Sequence, residues 1–385
     1  MVINLNQNHR AMNCRENGVT LIELMMVLLI FGVVMAGLYS AYSVSLKQTG
    51  QEFRLAESEM ELQIAKTLLE RDLAMAGHGL ADDYAGLGFD PKGVLATEGT
   101  GTGSNDTLTL TGIALGRESR ASQAWSYVTL ATNYTTSVSE FASWTDTREN
   151  PRSQDRIIYI DPSEKKILAS PAGSENTTTH KRWLFVYPPP TAGAAGNEPD
   201  NVQAGTIAYG LHSEPSGTTG NSDIPYYIVD YTLGGTKPDI CAEASKSLLR
   251  AENRMSAKPN SGQPLLNCVL DFQVALGLDT DENGTMDCWD NGGVTTSAYT
   301  FAQIRKRLKQ VKTYVLVQEG KKDPDFTYSN PDPAMSSTPD KIRVGDINLS
   351  PCSGTEVGSV VQLTAEQRHY HWRVLSSTVA TRNIR

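Results

Sequence analysis

The hydrophobic pattern near the start of the chain predicts a membrane-spanning helix. No charged residue occurs from Leu24 to Leu46, and most of these positions are apolar. At a rise of about 1.5 Å per residue, this segment is long enough to cross a bilayer core of roughly 30 Å. We therefore place a transmembrane segment at about residues 21–46, within a long helix that covers residues 19–77.

The pattern beyond this segment predicts that the same helix continues with one apolar face. Charged and apolar residues follow each other with helical spacing between Lys47 and Ala76, and no proline interrupts them. Gly77 and Gly79 then end the helix, because glycine is common just after a helix C-terminus. We expect the apolar face to pack against a globular head. It consists of Leu62, Ala65, Leu69, Leu73 and Ala76, widened by Ile64, Leu68 and Met75.

The remaining residues, 78–385, have the pattern of a β-rich head. Apolar or alternating runs separated by Gly-, Ser-, Thr- and Asn-rich stretches predict strands of an antiparallel sheet with long loops. The predicted fold class is therefore α+β, with a long N-terminal helix packed on the sheet. The predicted strands lie at residues 107–111, 156–160, 183–187, 226–231, 268–276, 311–318 and 371–383, with a short basic helix near residues 302–308.

The polar leader, residues 1–18, differs from a secretory signal. A secretory signal is cut after its apolar region, whereas here the small residue Gly18 lies before the apolar run. The leader carries Arg10, Arg15 and Glu16. Cleavage after Gly18 therefore keeps the hydrophobic helix in the mature chain.

Glu23 is a carboxylate near the membrane end of an otherwise apolar run. An ionised group in such a place costs several kcal/mol unless it is paired. In a chain that begins at Val19, the free α-amino group of a neighbouring copy supplies the opposite charge once helices pack side by side. An anionic side chain is also favoured in the first turn of a helix.

These N-terminal features resemble the class III signal of type IV prepilins and related pseudopilins, which has a glycine, an apolar residue, Thr-Leu-Ile-Glu and about twenty apolar residues. The resemblance implies cleavage after Gly18 by prepilin peptidase, methylation of the Val19 amine and assembly into a helical filament. Val19 departs from the more usual phenylalanine, and Ser40 stands where major pilins often have proline. The alternative is a generic single-span anchor, but the glycine, Glu23 and the leader coincide in register.

Four further blocks resemble PilW-type minor pilins, and the first of them also resembles J-type pseudopilins. The first is the end of the long helix and the last is the C-terminus, whereas the middle of the head, about residues 86–260, matches no family. The resemblance implies a non-enzymatic pilin subunit with a head of the type IV pilin kind. The four blocks lie at residues 68–78, 269–274, 308–317 and 377–383.

The resemblance also implies a role, a location and a set of partners. The expected role is a low-copy subunit that primes or joins the filament at or near its tip. The expected location is the inner membrane of a Gram-negative bacterium, with a cytoplasmic leader, and then the pilus on the cell surface. The expected partners are other minor pilins, the major pilin, the inner-membrane assembly platform, prepilin peptidase and a tip adhesin. The alternatives are a J-type pseudopilin of a type II secretion system, a tip adhesin or binding module, and an anchored periplasmic enzyme.

The cysteines predict disulfides in the head. Cys14 lies in the leader, so Cys241, Cys268, Cys288 and Cys352 remain after cleavage. Four cysteines outside the inner membrane suggest two disulfides with three possible connectivities. Sequence order favours Cys241 with Cys268 and Cys288 with Cys352, and buried free thiols are the alternative.

One loop has the spacing of a calcium site. Residues 279–290 place oxygen-bearing side chains at positions 1, 3, 5, 9 and 12, and Gly284 at position 6, as in a loop of the EF-hand type. Position 12 is aspartate rather than a bidentate glutamate, so we expect a weak, structural calcium site. The alternative is a solvated acidic hairpin loop. The candidate ligands are Asp279, Asp281, Asn283, Asp287 and Asp290 through their side chains and Thr285 through its carbonyl oxygen.

Other chemistry is weakly indicated. The net charge is −9, and lysine and arginine are scattered except around residues 305–312, so no nucleic-acid surface is predicted. His369 and His371 are two imidazoles on one predicted strand face, but no third metal ligand accompanies them. The sequence has no phosphate-binding loop, no Rossmann fingerprint and no nucleophile elbow, so no catalytic machinery is visible.

Overall fold

The structure is a computed structural model, and the chain divides into two compact units, residues 1–57 and 58–385. The residues that the structure describes are 19–84, 90–99, 105–115, 124–128, 155–169, 183–186, 202–213, 224–253, 262–291, 299–332, 335, 337–346, 349–352 and 356–384.

The N-terminal helix α1 runs from Leu21 to Met75. Its segment Leu21–Gly50 is long and apolar enough to cross a membrane, and none of its described side chains is buried within the protein. These apolar side chains have no cover within their own unit, so the segment needs lipid or protein from outside this unit.

The head-side part of α1, residues 58–75, buries the predicted apolar stripe. Leu62, Ala65, Leu69 and Leu73 are all at most 4% exposed, and Ala76 just beyond the helix is fully buried. The stripe is therefore confirmed. Ile64 was expected to widen the stripe. This prediction is wrong, because the Ile64 side chain is 61% exposed.

The described residues form fifteen strands and a second helix, α2 (Phe301–Arg307). Every ladder between these strands is antiparallel. The strands are β1 (Val94–Thr97), β2 (Thr107–Gly112), β3 (Trp125–Tyr127), β4 (Asp155–Asp161), β5 (Lys166–Ile167), β6 (Phe185–Val186), β7 (Ile207–Ser213), β8 (Tyr227–Gly234), β9 (Lys246–Asn253), β10 (Gln263–Leu278), β11 (Cys288–Asp290), β12 (Leu308–Glu319), β13 (Lys341–Gly345), β14 (Gly358–Gln362) and β15 (His371–Ala380).

The strands form three sheets. The main sheet has the order β1-β2-β8-β9-β10-β12-β15, and β11 pairs with the end of β10. A second sheet has the order β3-β7-β4-β5, with β6 on β4, and β13 and β14 form a separate hairpin. The sequence predicted one sheet, whereas the structure places the strand at residues 155–161 in the second sheet.

The main sheet is covered on both faces. Successive residues of β12 point to opposite sides, as the period of a strand requires. Val315 and Val317 belong to the core cluster that contains the α1 stripe, whereas Tyr314 and Leu316 pack with the β13–β14 hairpin. The helix and the hairpin therefore enclose the sheet between them.

The last predicted strand is shorter than expected. β15 ends at Ala380, and residues Arg382–Ile384 form a 3-10 turn instead of strand. This turn lets the C-terminus fold back onto the end of α1, where Ile384 is fully buried.

Candidate functional site

The start of α1 is a reciprocal cap built by Thr20 and Glu23. The backbone N–H and the hydroxyl of Thr20 donate to Glu23 Oε2 at 3.1 and 3.0 Å, and the Glu23 N–H donates to Thr20 Oγ1 at 3.3 Å. This exchange satisfies donors that a helix start leaves open. Val19 precedes the cap and is 72% exposed. Gly18, the predicted cleavage residue, lies outside the described residues.

A buried ionic network ties the head-side part of α1 to the main sheet. Asp72 is 1% exposed, and its Oδ2 accepts from Arg250 Nε at 2.7 Å and from the Tyr231 hydroxyl at 2.8 Å. Arg250 also donates to Glu252 Oε2 at 2.9 Å and to the Leu115 carbonyl at 3.4 Å. Burial raises the pKa of Tyr231, and the Asp72 carboxylate raises it further, so the phenol stays a donor.

The C-terminus closes the end of the same helix. Asn383 Nδ2 donates to the Ala74 carbonyl at 2.5 Å, and Ser377 Oγ donates to Glu70 Oε1 at 2.6 Å. Gly77 follows the helix with φ +80°, and a Cβ atom there would lie 2.6 Å from Ile384 Cγ1. Glycine is therefore required at residue 77 both for its backbone conformation and for the close approach of the C-terminus.

The acidic loop at residues 279–290 gathers three of its predicted ligands. Carboxylate oxygens of Asp279, Asp281 and Asp287 all lie within 4.8 Å of one another. Asn283 is held beside them because its N–H donates to Asp279 Oδ1 at 3.0 Å and to Asp281 Oδ1 at 3.2 Å. Gly284 makes the turn with φ +95°, and its N–H donates to Asp279 Oδ2 at 2.8 Å.

The other two predicted ligands are placed differently. Thr285 follows the turn and donates its N–H to Asn283 Oδ1 at 2.8 Å. Asp290 lies in β11 opposite Leu276, is 3% exposed and is not part of the carboxylate group. Asp290 is placed differently because a β-hairpin, rather than a helix pair, flanks the loop. Position 12 of the loop, Asp290, therefore lies in β11 and pairs with β10.

Positive charge reaches the loop from β12. Lys309 Nζ lies 3.0 Å from Asp279 Oδ2. Burial of Asp279 opposes its ionisation, but the bond from Lys309 and the backbone N–H donors outweigh it and lower the pKa of this carboxyl. The hydroxyl and N–H of Thr280 lower the pKa of Asp287 in the same way. Both groups are therefore carboxylates at neutral pH.

The head has two disulfides, and one of them lies at the end of this loop. Cys288 pairs with Cys352, and Cys241 pairs with Cys268, which is the pairing that sequence order favoured. Cys288 is the first residue of β11. Its disulfide therefore attaches the end of the loop to Cys352, which lies 64 residues further along the chain. Closing a loop in this way removes conformational freedom from the unfolded chain.

Two known protein families match parts of the chain. The family described as Type IV Pilus-assembly protein W matches residues 226–383, and the prokaryotic N-terminal methylation motif matches residues 13–39. These two matches support a type IV pilus minor pilin of the PilW type. Neither the curated proteins nor the solved structures give a match to it.

The PilW-matched region contains several of the residues that hold the helix. It contains Tyr231 and Arg250, which bind Asp72, and Asn383, which closes the helix end. It also contains both disulfides and the acidic loop. The second sheet lies outside this region, between residues 125 and 213. The expectation that residues 86–260 match no family is wrong from residue 226 onward.

The basic run at residues 305–312 is neutralised within the head. Arg305 lies 2.9 Å from Asp82, and Arg307 lies 3.0 Å from Glu282. The remaining ion pairs are Lys306 with Glu282 at 3.8 Å, Lys309 with Asp279 at 3.0 Å and Lys312 with Asp346 at 3.7 Å. These ion pairs tie the run to neighbouring segments of the head.

The two histidines are also used within the head. His371 lies in β15 and stacks on Phe326 with ring centroids 3.8 Å apart. His369 lies in a 3-10 helix, Gln367–His369, rather than in the strand, and its Nδ1 is 2.8 Å from the Phe326 carbonyl. The prediction that both rings share one strand face is therefore wrong.

Asp106 is a buried carboxyl that the sequence analysis missed. It lies just before β2 and is 2% exposed, and its Oδ2 accepts from the Val274 N–H at 2.8 Å. Burial raises the pKa of Asp106 to about 7, although the bonds from Val274 and Gly99 act in the opposite direction. Its N–H also donates to the Phe272 carbonyl at 2.9 Å, so Asp106 fastens β2 to β10.

We predict that Asp106 makes the stability of the head depend on pH. Its pKa is about 7 in the folded chain and about 3.9 in an unfolded chain. The folded state therefore binds more protons between these values, and the free energy of unfolding falls as the pH rises from about 4 to 7. Denaturant unfolding of the full chain in detergent at several pH values measures this slope.

Asp106→Asn should flatten the slope, because the amide does not titrate. Asp161→Asn is the matched control, since Asp161 is not buried and its pKa is lowered by the hydroxyl and N–H of Ser163. The same slope in the Asp106→Asn protein as in the unchanged protein would contradict the assignment.

Proposed function

We propose that this minor pilin is cleaved by prepilin peptidase after Gly18, is methylated at Val19, and then primes or joins pilus assembly at or near the tip. One observation carries the proposal: the methylation motif overlaps a helical segment, Leu21–Gly50, that is long and apolar enough to cross a membrane and buries none of its described side chains. A helix that is apolar on all sides keeps its hydrophobic cover when it moves from lipid to a bundle of similar helices.

The head-side part of α1 supports contact with other subunits. Met60 and Ile64 are 66% and 61% exposed, and they lie four residues apart on the same side of the helix. The buried stripe faces the sheet, so these two side chains form an apolar patch on the opposite side. We propose that helices of the major pilin and of other minor pilins cover this patch.

The proposed location and remaining partners follow from the same features. We propose insertion into the inner membrane of a Gram-negative bacterium, with the leader in the cytoplasm, and transfer to the surface pilus through the assembly platform. A tip adhesin is a further proposed partner, and the second sheet has no match to the PilW family. Ion pairing of Glu23 with the amine of a neighbouring subunit is the proposed means of setting the axial register.

Immunogold labelling tests the proposed position. An epitope tag can be placed in the exposed turn at Ser163, which belongs to the second sheet rather than to α1 or the main sheet. We expect label at one end of each filament, and fewer filaments per cell in a strain that lacks the gene. Label along the whole filament would contradict the tip position. Intact pili together with loss of protein secretion in the deletion strain would favour the J-type pseudopilin.

We also propose that the loop at residues 279–290 binds calcium as a structural ion. The three grouped carboxylates and the oxygen atoms of Asn283 are the ligands that calcium prefers. We expect a Kd of about 0.1–1 mM, the range of extracellular modules, when calcium is titrated into the full chain in detergent.

Asp281→Ala should abolish the calorimetric binding signal. Glu282→Ala is the matched control in the same loop, because Glu282 pairs with Arg307 and is outside the carboxylate group. Lys309→Ala should tighten binding, since it removes the ammonium group that competes for Asp279. Equal affinities in the Asp281→Ala and Glu282→Ala proteins would contradict the site.

A further inference from the structure

Strand β15 forms one edge of the main sheet. Among the described residues it pairs with β12 on one side, and no described strand pairs with its other side. Its ten residues lie opposite β12 in one unbroken register, from His371 opposite Glu319 to Ala380 opposite Gln310. The ladders of β10, by contrast, contain register shifts. β15 is therefore a long and regular edge strand.

The backbone groups that point away from the sheet can be assigned. The Thr381 N–H donates to the Lys309 carbonyl at 3.2 Å, in the same register as the β12–β15 ladder. Bonded and non-bonded pairs alternate in an antiparallel ladder, so the odd-numbered residues of β15 bond to β12. The outward N–H and C=O groups belong to Trp372, Val374, Ser376, Thr378 and Ala380.

These outward groups have no hydrogen bond from any described residue. Ser376, Thr378 and Ala380 also have small, exposed side chains, so nothing bulky stands over the backbone there. At least three successive pairs of outward donors and acceptors are therefore left without a partner among the described residues.

β15 lacks the features that usually protect an edge strand. Natural edges are commonly blocked by charges, proline, a bulge or a short strand. β15 contains no proline and no bulge, and Arg373 is its only Lys, Arg, Asp or Glu. The Arg373 guanidinium is held by Glu59 at 2.6 Å and Glu319 at 3.0 Å. The opposite edge of the sheet, β1, is only four residues long.

We propose that the outward edge of β15 binds an extended segment of another pilus subunit, which joins the main sheet as an additional strand. The edge selects a β-strand with no proline at its bonding positions, because each outward N–H and C=O needs a partner. It also selects an uncharged segment, since Ser376 and Thr378 offer no opposite charge beside the backbone. PilW-type proteins interact with other pilus components, so the source of the partner rests on the proposed function. The observation that no described residue pairs with this edge does not rest on it.

A photo-crosslinking amino acid in the full chain tests the proposal in the native host. With the probe at Ser376 or Thr378, we expect a covalent product with a second pilus subunit, which mass spectrometry maps to an extended, uncharged segment. The matched control carries the probe at Ala365, which is exposed on the same head but lies outside β15. We expect no product from this position.

Two variants test whether pairing of the backbone is responsible. Ser376→Pro removes an outward N–H and no bond of the β12 ladder. Ser376→Lys keeps the N–H and places a charge at the edge. We expect loss of the product from the Thr378 probe in both variants, with both disulfides and protease resistance retained.

The outcomes separate this proposal from the proposed function. No product in filaments that contain the chain, or an equal product from Ala365, would overturn the edge site and leave the pilin role intact. A product with a second copy of the chain, or with a protein outside the pilus, would overturn the partner. Absence of the chain from filaments would overturn the proposed function and, with it, the partner.

Discussion

Asp72→Ala is expected to lower the free energy of unfolding by about 3–5 kcal/mol. The substitution removes the only carboxylate within 3 Å of the Arg250 Nε atom among the described residues and leaves this guanidinium, which is 8% exposed, without its main counter-charge. It also leaves the Tyr231 hydroxyl without its acceptor. Denaturant unfolding of the full chain in detergent measures the loss.

Two controls separate the charge from the packing. The double variant Asp72→Leu with Arg250→Met replaces both charges by apolar groups, so we expect it to be more stable than Asp72→Ala. Glu59→Ala breaks an ion pair between the same helix and sheet, but Glu59 and Arg373 are exposed, so its effect should be much smaller. Equal destabilisation by Asp72→Ala and Glu59→Ala would contradict the role of the buried network.

Glu23→Ala is expected to reduce incorporation of the chain into filaments by about tenfold or more. Loss of about 1.4 kcal/mol at a subunit contact is a factor of ten in an equilibrium. Insertion into the membrane should be unchanged, because alanine removes a costly charge from the end of the apolar segment. Quantitative mass spectrometry of sheared filaments and of membranes measures both amounts.

Glu23→Gln distinguishes the two uses of this side chain. The amide keeps an oxygen that accepts from the Thr20 N–H and hydroxyl, but it removes the charge. We expect it to fail in assembly like Glu23→Ala. Glu52→Ala is the control, since Glu52 is an exposed glutamate of the same helix. Normal incorporation of the Gln variant would assign Glu23 to helix capping alone.

Helix α1 could be predicted from the sequence because the spacing of apolar residues that defines a helix involves only residues close together in the chain. The 3.6-residue period of Leu62, Ala65, Leu69 and Leu73 fixes one face, and those positions are buried. Ile64 was assigned wrongly because it lies two positions from Leu62, which is about 200° around the helix. A rotation of that size directs it away from the sheet, so apolar character alone was a poor guide.

Strand existence was predicted more reliably than strand pairing. The runs at residues 107–111 and 226–231 are neighbouring strands of the main sheet, but the equally apolar run at 156–160 joins a different sheet. Pairing depends on contacts between distant residues, which a short apolar run does not encode. For the same reason the sequence left three disulfide connectivities open.

The candidate sites likewise divide into features set by residues close in sequence, which could be predicted, and features set by distant residues, which could not. The spacing of Asp279, Asp281 and Asp287 was enough to predict that they meet, because one tight turn brings them together. Asp290 was misplaced, since the spacing does not tell whether a helix or a hairpin follows the turn. Asp72 was missed because its partner Arg250 is 178 residues away. Its place among the buried leucines of α1 was the signal that could have indicated it.

We propose that the mature chain begins at Val19 and enters a surface filament. Mass spectrometry of filaments sheared from the native host, compared with the membrane fraction, tests it most directly. The account predicts an N-terminal peptide that starts at methylated Val19 and is present in the sheared fraction at low abundance relative to the major pilin. A chain that retains residues before Gly18 in both fractions would contradict it.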